Sequence, residues 1–157
     1  MTPAASPTSA YEFTISLRVR HPSIDPSAIT EALGINPQHT WRAGQPRRNE
    51  AGEPLDGDYR ESYWMGRLMQ TPELSSDASS VESVVLKTLA LLRRSEQFLA
   101  RLSVEGGVAE LHVSLYAREN FRLDFPAESL TLLGRFGLAI ALEIYPISPR
   151  SLALPAD

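Results

Sequence analysis

The chain is expected to fold as an α+β two-layer sandwich, a mainly antiparallel sheet with helices packed on one face, ferredoxin-like in outline. Three observations carry that expectation. Segments at Tyr11–Arg20, Val108–Ala117 and Leu138–Tyr145 alternate apolar with polar or small residues, the period of a strand with one buried face. Pro26–Leu33, Val81–Leu102 and Pro126–Phe136 instead carry apolar residues at helical spacing. A doubly wound parallel sheet would show strands apolar on both faces, and these are not. Helices laid over one side of the sheet satisfy both patterns.

The first strand sends Tyr11, Phe13, Ile15, Leu17 and Val19 one way and Glu12, Thr14, Ser16, Arg18 and Arg20 the other. After a turn at His21–Ser23, the run I-D-P-S-A-I-T-E-A-L-G-I-N-P specifies a short helix with both ends marked. Asp25 is a good N-cap, and Pro26 occupies the first helical position, where a missing N–H costs nothing. Ile24 and Ile29 have the spacing of a hydrophobic staple. Gly34 can turn left-handed to end the helix, and Pro37 prevents its resumption.

Trp41 and Arg42 open a short strand. Gly44–Asp58, punctuated by Gly44, Pro46, Gly52, Pro54 and Gly57, reads as a polar loop. Tyr59–Leu68 is a further strand, and Gln70–Ser80 a polar connection. Ser79 and Glu82 have capping-box spacing at the start of the longest helix, Val81–Leu102, which would run roughly 33 Å if unbroken. Gly106 and Gly107 stop it. In the next strand Leu111, Val113 and Leu115 oppose Glu110, His112, Ser114 and Tyr116. Phe121–Phe125 is a candidate extended segment. Pro126 opens the third helix, with Glu128 in its first turn and Gly137 beyond its end. The last strand aligns Leu138, Ile140, Leu142 and Ile144. The order is β-α-(β-β)-α-β-(β)-α-β in one domain over 11–147, between a disordered lead-in at 1–10 and a tail at 148–157.

Length and composition narrow the function. A chain of 157 residues suits a single domain. Its net charge of −4 argues against a nucleic-acid partner, since polyanion binders displace counterions with a basic surface. The sheet also lacks the glycine-aromatic signature of RNA-recognition strands. No cysteine is present, which excludes disulfides and thiolate sites and fits a reducing compartment. The start has neither the basic region nor the apolar core of a secretory signal, and no window reaches the roughly 18 apolar residues of a bilayer span. A cytoplasmic protein without membrane association is expected. No phosphate-cradling glycine loop, zinc-protease motif or nucleophile elbow occurs. His21, His39 and His112 lie in a turn, a loop and a strand, a poor metal set, so no metal and no cofactor is expected. Glu53, Asp56 and Asp58 lack calcium-loop spacing. His112, beside Glu110 and Ser114, reads as part of a half-exposed polar strand face.

The order of these pieces resembles a known family. The strand F-T-I-S-L-R-V-R-H, the D-P-S-A-I-T-E-A-L-G-I-N-P block, the W-R-A-G turn, Trp64, the Leu-rich helix and the closing L-T-L-L-G-R-F-G-L-A-I-A-L-E-I-Y-P unit are similar to the bacterial family called domain of unknown function 4279. The resemblance runs from about Tyr11 to Pro146. It implies the fold and brings no catalytic motif with it.

The most suggestive constellation is Trp41, Arg42, Arg47, Arg48, Tyr59, Tyr63 and Trp64. Aromatic and arginine side chains are enriched at binding hot spots, and here they flank a Pro/Gly-rich loop. The competing reading has one or both tryptophans plugging the end of the core. The expected function is a non-enzymatic interaction module that binds another protein, in its specific form a toxin-neutralising immunity protein. The alternative is a small-molecule binder or enzyme with a pocket between the 40–68 segment and the sheet, drawing on Tyr59, Tyr63, His112 and Glu110. A homodimer through a free sheet edge is a third expectation.

Overall fold

A computed structural model describes residues 10–68, 74–75 and 79–147. The lead-in before Ala10, the tail and most of the Gln70–Ser80 connection lie outside the described residues. Strand β1 (Tyr11–His21) is followed by helix α1 (Pro26–Leu33) and the short strand β2 (His39–Trp41). Strands β3 (Pro46–Arg48), β4 (Pro54–Asp58), β5 (Ser62–Gly66) and β6 (Leu74–Ser75) come next. Helices α2 (Val81–Leu91) and α3 (Glu96–Val104) precede β7 (Val108–Ala117), α4 (Ala127–Arg135) and β8 (Leu138–Pro146).

The main sheet has six strands, ordered β2-β5-β1-β7-β8, with β6 also paired to β1. Every pairing is antiparallel except β7 with β8, which α4 connects. The β1–β7 register sets Phe13 against Leu115, Ile15 against Val113 and Leu17 against Leu111. Phe13, Leu17, Leu111, Val113 and Leu115 are fully buried, and the same core holds Ile29, Val84, Val85, Leu89, Leu99, Leu102 and Leu133 from the four helices and Phe136 just past α4. One face of the sheet is therefore roofed by helices. This is the α+β sandwich anticipated above.

Helix α1 forms as its signals require. Asp25 accepts from the Ser27 N–H at 2.9 Å, Pro26 sits in the first turn, and Gly34 takes φ 67° while donating to the Thr30 carbonyl at 2.8 Å. His21 closes the preceding turn, its Nδ1 accepting from the N–H groups of Ser23 (3.1 Å) and Ile24 (3.0 Å).

Several elements differ from expectation. The long helix breaks at Leu92 into a single 3₁₀ turn, Arg93–Ser95, before α3. There the Ser95 hydroxyl donates to the Ala32 carbonyl of α1 at 2.9 Å, so the break serves a contact between helices. The N-cap is Ser80, whose hydroxyl accepts from the Ser83 N–H at 3.1 Å. Glu82 is thereby one position too early for a capping box and instead accepts from Ser129 of α4 at 3.0 Å. Helix α4 starts at Ala127, with Pro126 extended before it. The 121–125 segment forms no strand. Its period-two pattern arises because Phe121, Leu123 and Phe125 each turn partly into the core.

The largest difference is Gly44–Asp58, where β3 and β4 pair as a separate two-stranded hairpin. Every residue of both strands is exposed. A hairpin that buries neither face carries no hydrophobic alternation, which is why its sequence reads as a loop.

Candidate functional site

The exposed hairpin is fixed at both ends. At its tip, Asn49 accepts from the Glu53 N–H (2.8 Å) through its side-chain oxygen and donates to the Glu53 carboxylate (2.8 Å). The Asn49 N–H reaches the Glu53 carbonyl at 2.9 Å, and the Gly52 N–H returns to the Asn49 carbonyl at 2.9 Å. Gly52 takes φ 81°, a conformation that a side chain would strain. Arg48 closes the turn by donating to the Gly52 carbonyl at 2.8 Å.

At its root, the Gly44 N–H donates to the Tyr59 carbonyl (2.8 Å) and the Tyr59 N–H to the Gln45 carbonyl (2.9 Å). The Ala43 N–H donates to the Ser62 hydroxyl at 3.0 Å, joining the root to β5. Tyr59 does two further things. Its hydroxyl both accepts from the Arg48 N–H and donates to the Arg48 carbonyl, each at 3.2 Å. Its ring stacks on Trp41 with centroids 4.8 Å apart and planes 15° from parallel. Tyr63, paired with Trp41 across β2 and β5, stacks on it too, at 4.3 Å and 18°. Three of the sequence-nominated residues thus meet in one aromatic stack. Burial, the larger cause, and Glu110 raise the Tyr63 pKa, with Arg18 and Arg20 opposing, so its phenol stays protonated at neutral pH.

Between hairpin and sheet lies a cleft of about 780 Å³, walled by Trp41, Tyr59 and Pro46 and edged by His39, Gln45 and Arg48. A second recess of about 570 Å³ runs from Trp41 to α1, where Arg42 meets Asp25 at 3.1 Å. Arg47 donates weakly to the Asp56 carbonyl at 3.4 Å, which leaves most of its guanidinium facing solvent.

Trp64 stands apart from this surface. It is 0% exposed, on the helix-facing side of β5, and its indole N–H donates to the Thr30 hydroxyl at 2.9 Å. For this tryptophan the core reading holds, and Trp41 remains on the surface side. The sequence separates them only by parity: adjacent residues of one strand, Tyr63 and Trp64, face opposite sides.

The pocket imagined between the 40–68 segment and the sheet is divided. Tyr59 and Tyr63 join Trp41, and the charge of Glu110 reaches Tyr63 across the intervening β1, but His112 engages Glu143 of β8 instead. His112 corrects a further expectation: it is 8% exposed, not half-exposed, with Nε2 3.0 Å from the Glu143 carboxylate. The Tyr145 hydroxyl chiefly, and His112 after it, hold the Glu143 carboxyl below its usual range against partial desolvation. Tyr145 in turn is pushed up, first by that same hydrogen bond. Its ring stacks on Tyr116 at 5.3 Å. These contacts couple β7 to β8, and strand pairing alone reveals them, because the partners are 31 residues apart.

Asp25, at the junction of α1 and Arg42, carries a titration prediction. Its carboxyl is held low chiefly by the Ser27 N–H, then by the Ser27 hydroxyl, with Arg42 adding less than the opposing desolvation. A carboxyl lowered in the folded state stabilises above its unfolded pKa, about 4, and loses that advantage as pH falls through its folded value. Asn caps as well as Asp, so Asp25→Asn isolates the charge. Urea midpoints should place the variant below the parent at pH 7 and bring the two together at acidic pH. A gap that stays constant with pH would contradict the assignment.

No helix among the described residues is long and apolar enough to cross a membrane. Nor, among the described residues, do three or more His, Asp or Glu side chains converge on a point that could hold a metal ion. A family model described as "Domain of unknown function (DUF4279)" matches residues 11–146. Neither a curated protein nor a solved structure matches the chain.

Proposed function

The chain belongs to the DUF4279 family, and on that premise we propose that it is a protein-interaction module whose contact surface is the 46–58 hairpin with the Trp41 cleft at its base. One observation carries the reading. The hairpin buries nothing of its own, and isolated two-stranded hairpins are marginal in water, yet this one is locked at tip and root. Rigidity without core burial reduces the ordering cost of docking, which favours a preformed recognition arm. Opposite charges on its two strands, Arg47 and Arg48 against Asp56 and Asp58, suit a partner of mixed polarity.

The specific form we favour is neutralisation of a toxin, a task that asks of a small acidic domain only a complementary surface. Purified toxin from a neighbouring gene should lose activity on stoichiometric addition of this protein. Charge reversal Arg47→Glu/Arg48→Glu should weaken partner binding by roughly 30-fold, the equivalent of about 2 kcal/mol at a hot spot. The distant reversal Arg94→Glu should leave binding unchanged. Equal affinity for both variants would remove the hairpin from the interface.

The cleft volume supports a second reading, a small ligand held against Trp41 and Tyr59 above Arg48. A true ligand at about 100 times its dissociation constant would stabilise the fold by about 2.7 kcal/mol. A flat thermal-shift response to a broad metabolite panel would set this reading aside.

A further inference from the structure

The two edges of the main sheet are treated differently. Edge β2 is three residues long and lies beside the projecting hairpin. Edge β8 runs for nine residues, L-A-I-A-L-E-I-Y-P, with one carboxylate, no lysine or arginine, and proline only at its last position. Long, flat, uncharged edges template strand pairing, and natural proteins ordinarily guard them. No strand pairs with the outer side of β8 among the described residues. Its helix-side row also stays open toward the end, with Leu142 42% and Ile144 53% exposed, whereas Leu138 at its start is buried.

We infer that β8 pairs antiparallel with the β8 of a second copy of this chain, about a two-fold axis at Leu142, joining the two sheets into one. A two-fold through identical edges can only be antiparallel, and the side chains fit that register. Leu142 meets its own copy, and Ile140 faces Ile144, closing the exposed apolar row. On the opposite face the strand is small in its first half and large in its second, and the same axis sets Ala139 against Tyr145 and Ala141 against Glu143. The two carboxylates are then diagonal rather than opposed, and each is already held by its own His112 and Tyr145. The charge pattern admits a copy of itself. The hairpins sit at the far ends of the joined sheet, so this inference stands independently of the proposed function.

The chain has no cysteine, which makes cross-linking a clean test. The full chain at about 100 µM, by light scattering on a sizing column, should show twice its 17.3 kDa mass. Leu142→Lys should return it to the monomer mass with an unchanged far-ultraviolet spectrum. Leu142→Cys alone should oxidise to a covalent dimer, since opposed Cα atoms lie about 4.5–5.5 Å apart. Ile140→Cys alone should not, being roughly 13 Å from its own copy, whereas Ile140→Cys mixed with Ile144→Cys should. A monomeric full chain overturns the inference. If the chain ending at Ile147 then dimerises, the ten residues that follow cover the edge; if it does not, the edge pairs with nothing of its own. A dimer indifferent to Leu142→Lys, or one that cross-links through Ile140→Cys alone, overturns the interface or its register.

Discussion

Trp64→Ala is expected to lower the unfolding free energy by about 3–5 kcal/mol, the range for removing a large aromatic ring from a core. The indole is wholly buried, and its N–H holds the Thr30 hydroxyl, which the truncation leaves without that donor. Its neighbour on the same face shows how closely the ring is accommodated: a Cβ at Gly66 would lie 2.6 Å from the Trp64 Cη2 atom. Domains of this size are stable by only about 5–15 kcal/mol, so the variant loses a large fraction of its margin. Urea unfolding would show the midpoint falling with an unchanged slope. Trp64→Phe keeps most of the ring and should cost distinctly less. A midpoint shift below about 1 kcal/mol for the alanine variant would be incompatible with a structural indole.

Trp41→Ala should act on the hairpin and spare the fold. Trp41 is not among the buried core residues, and its ring stacks on two tyrosines. Aromatic pairs contribute about 0.5–1.5 kcal/mol each beyond area burial, so losing both weakens the root by about 1–3 kcal/mol. Because the strands of the arm are otherwise solvent-exposed, that loss appears as local opening rather than global unfolding. Amide exchange across 46–58 should accelerate roughly tenfold to a hundredfold, while the amides of β1 and β7 exchange as before. Partner binding should fall with it. Acceleration spread evenly over the sheet would mean that Trp41 supports the core after all. The two tryptophans therefore separate by experiment: one governs whether the chain folds, the other whether the arm is held.

Sequence and structure agree where the signals are local. The Tyr11–Val19 and Leu111–Leu115 alternations became the central strand pair, and the Asp25–Gly34 punctuation became α1 with both caps in place. Disagreement begins where an element owes its form to distant residues. Ser79 and Glu82 have the spacing of a cap, but Ser129 draws Glu82 toward α4. The Leu-rich segment has one continuous period, but Ser95 leaves the helix to serve Ala32. The hairpin has no apolar face to advertise it, and its geometry comes from polar locks among Asn49, Gly52, Glu53 and Tyr59.

The site divides along the same line. That Trp41, Tyr59, Tyr63 and the arginines matter as a group was readable from their chemistry and their place around a Pro/Gly-rich stretch. Strand register then selected among them, because pairing β2 with β5 brings Trp41 to Tyr63 and turns Trp64 inward. The pairing of His112 with Glu143 had no such local trace. Periodicity and capping are properties of a few neighbouring residues and survive in the linear chain. Which strand lies beside which, and so which side chains share a surface, depends on contacts closed across the whole sheet, and those exist only once it has folded.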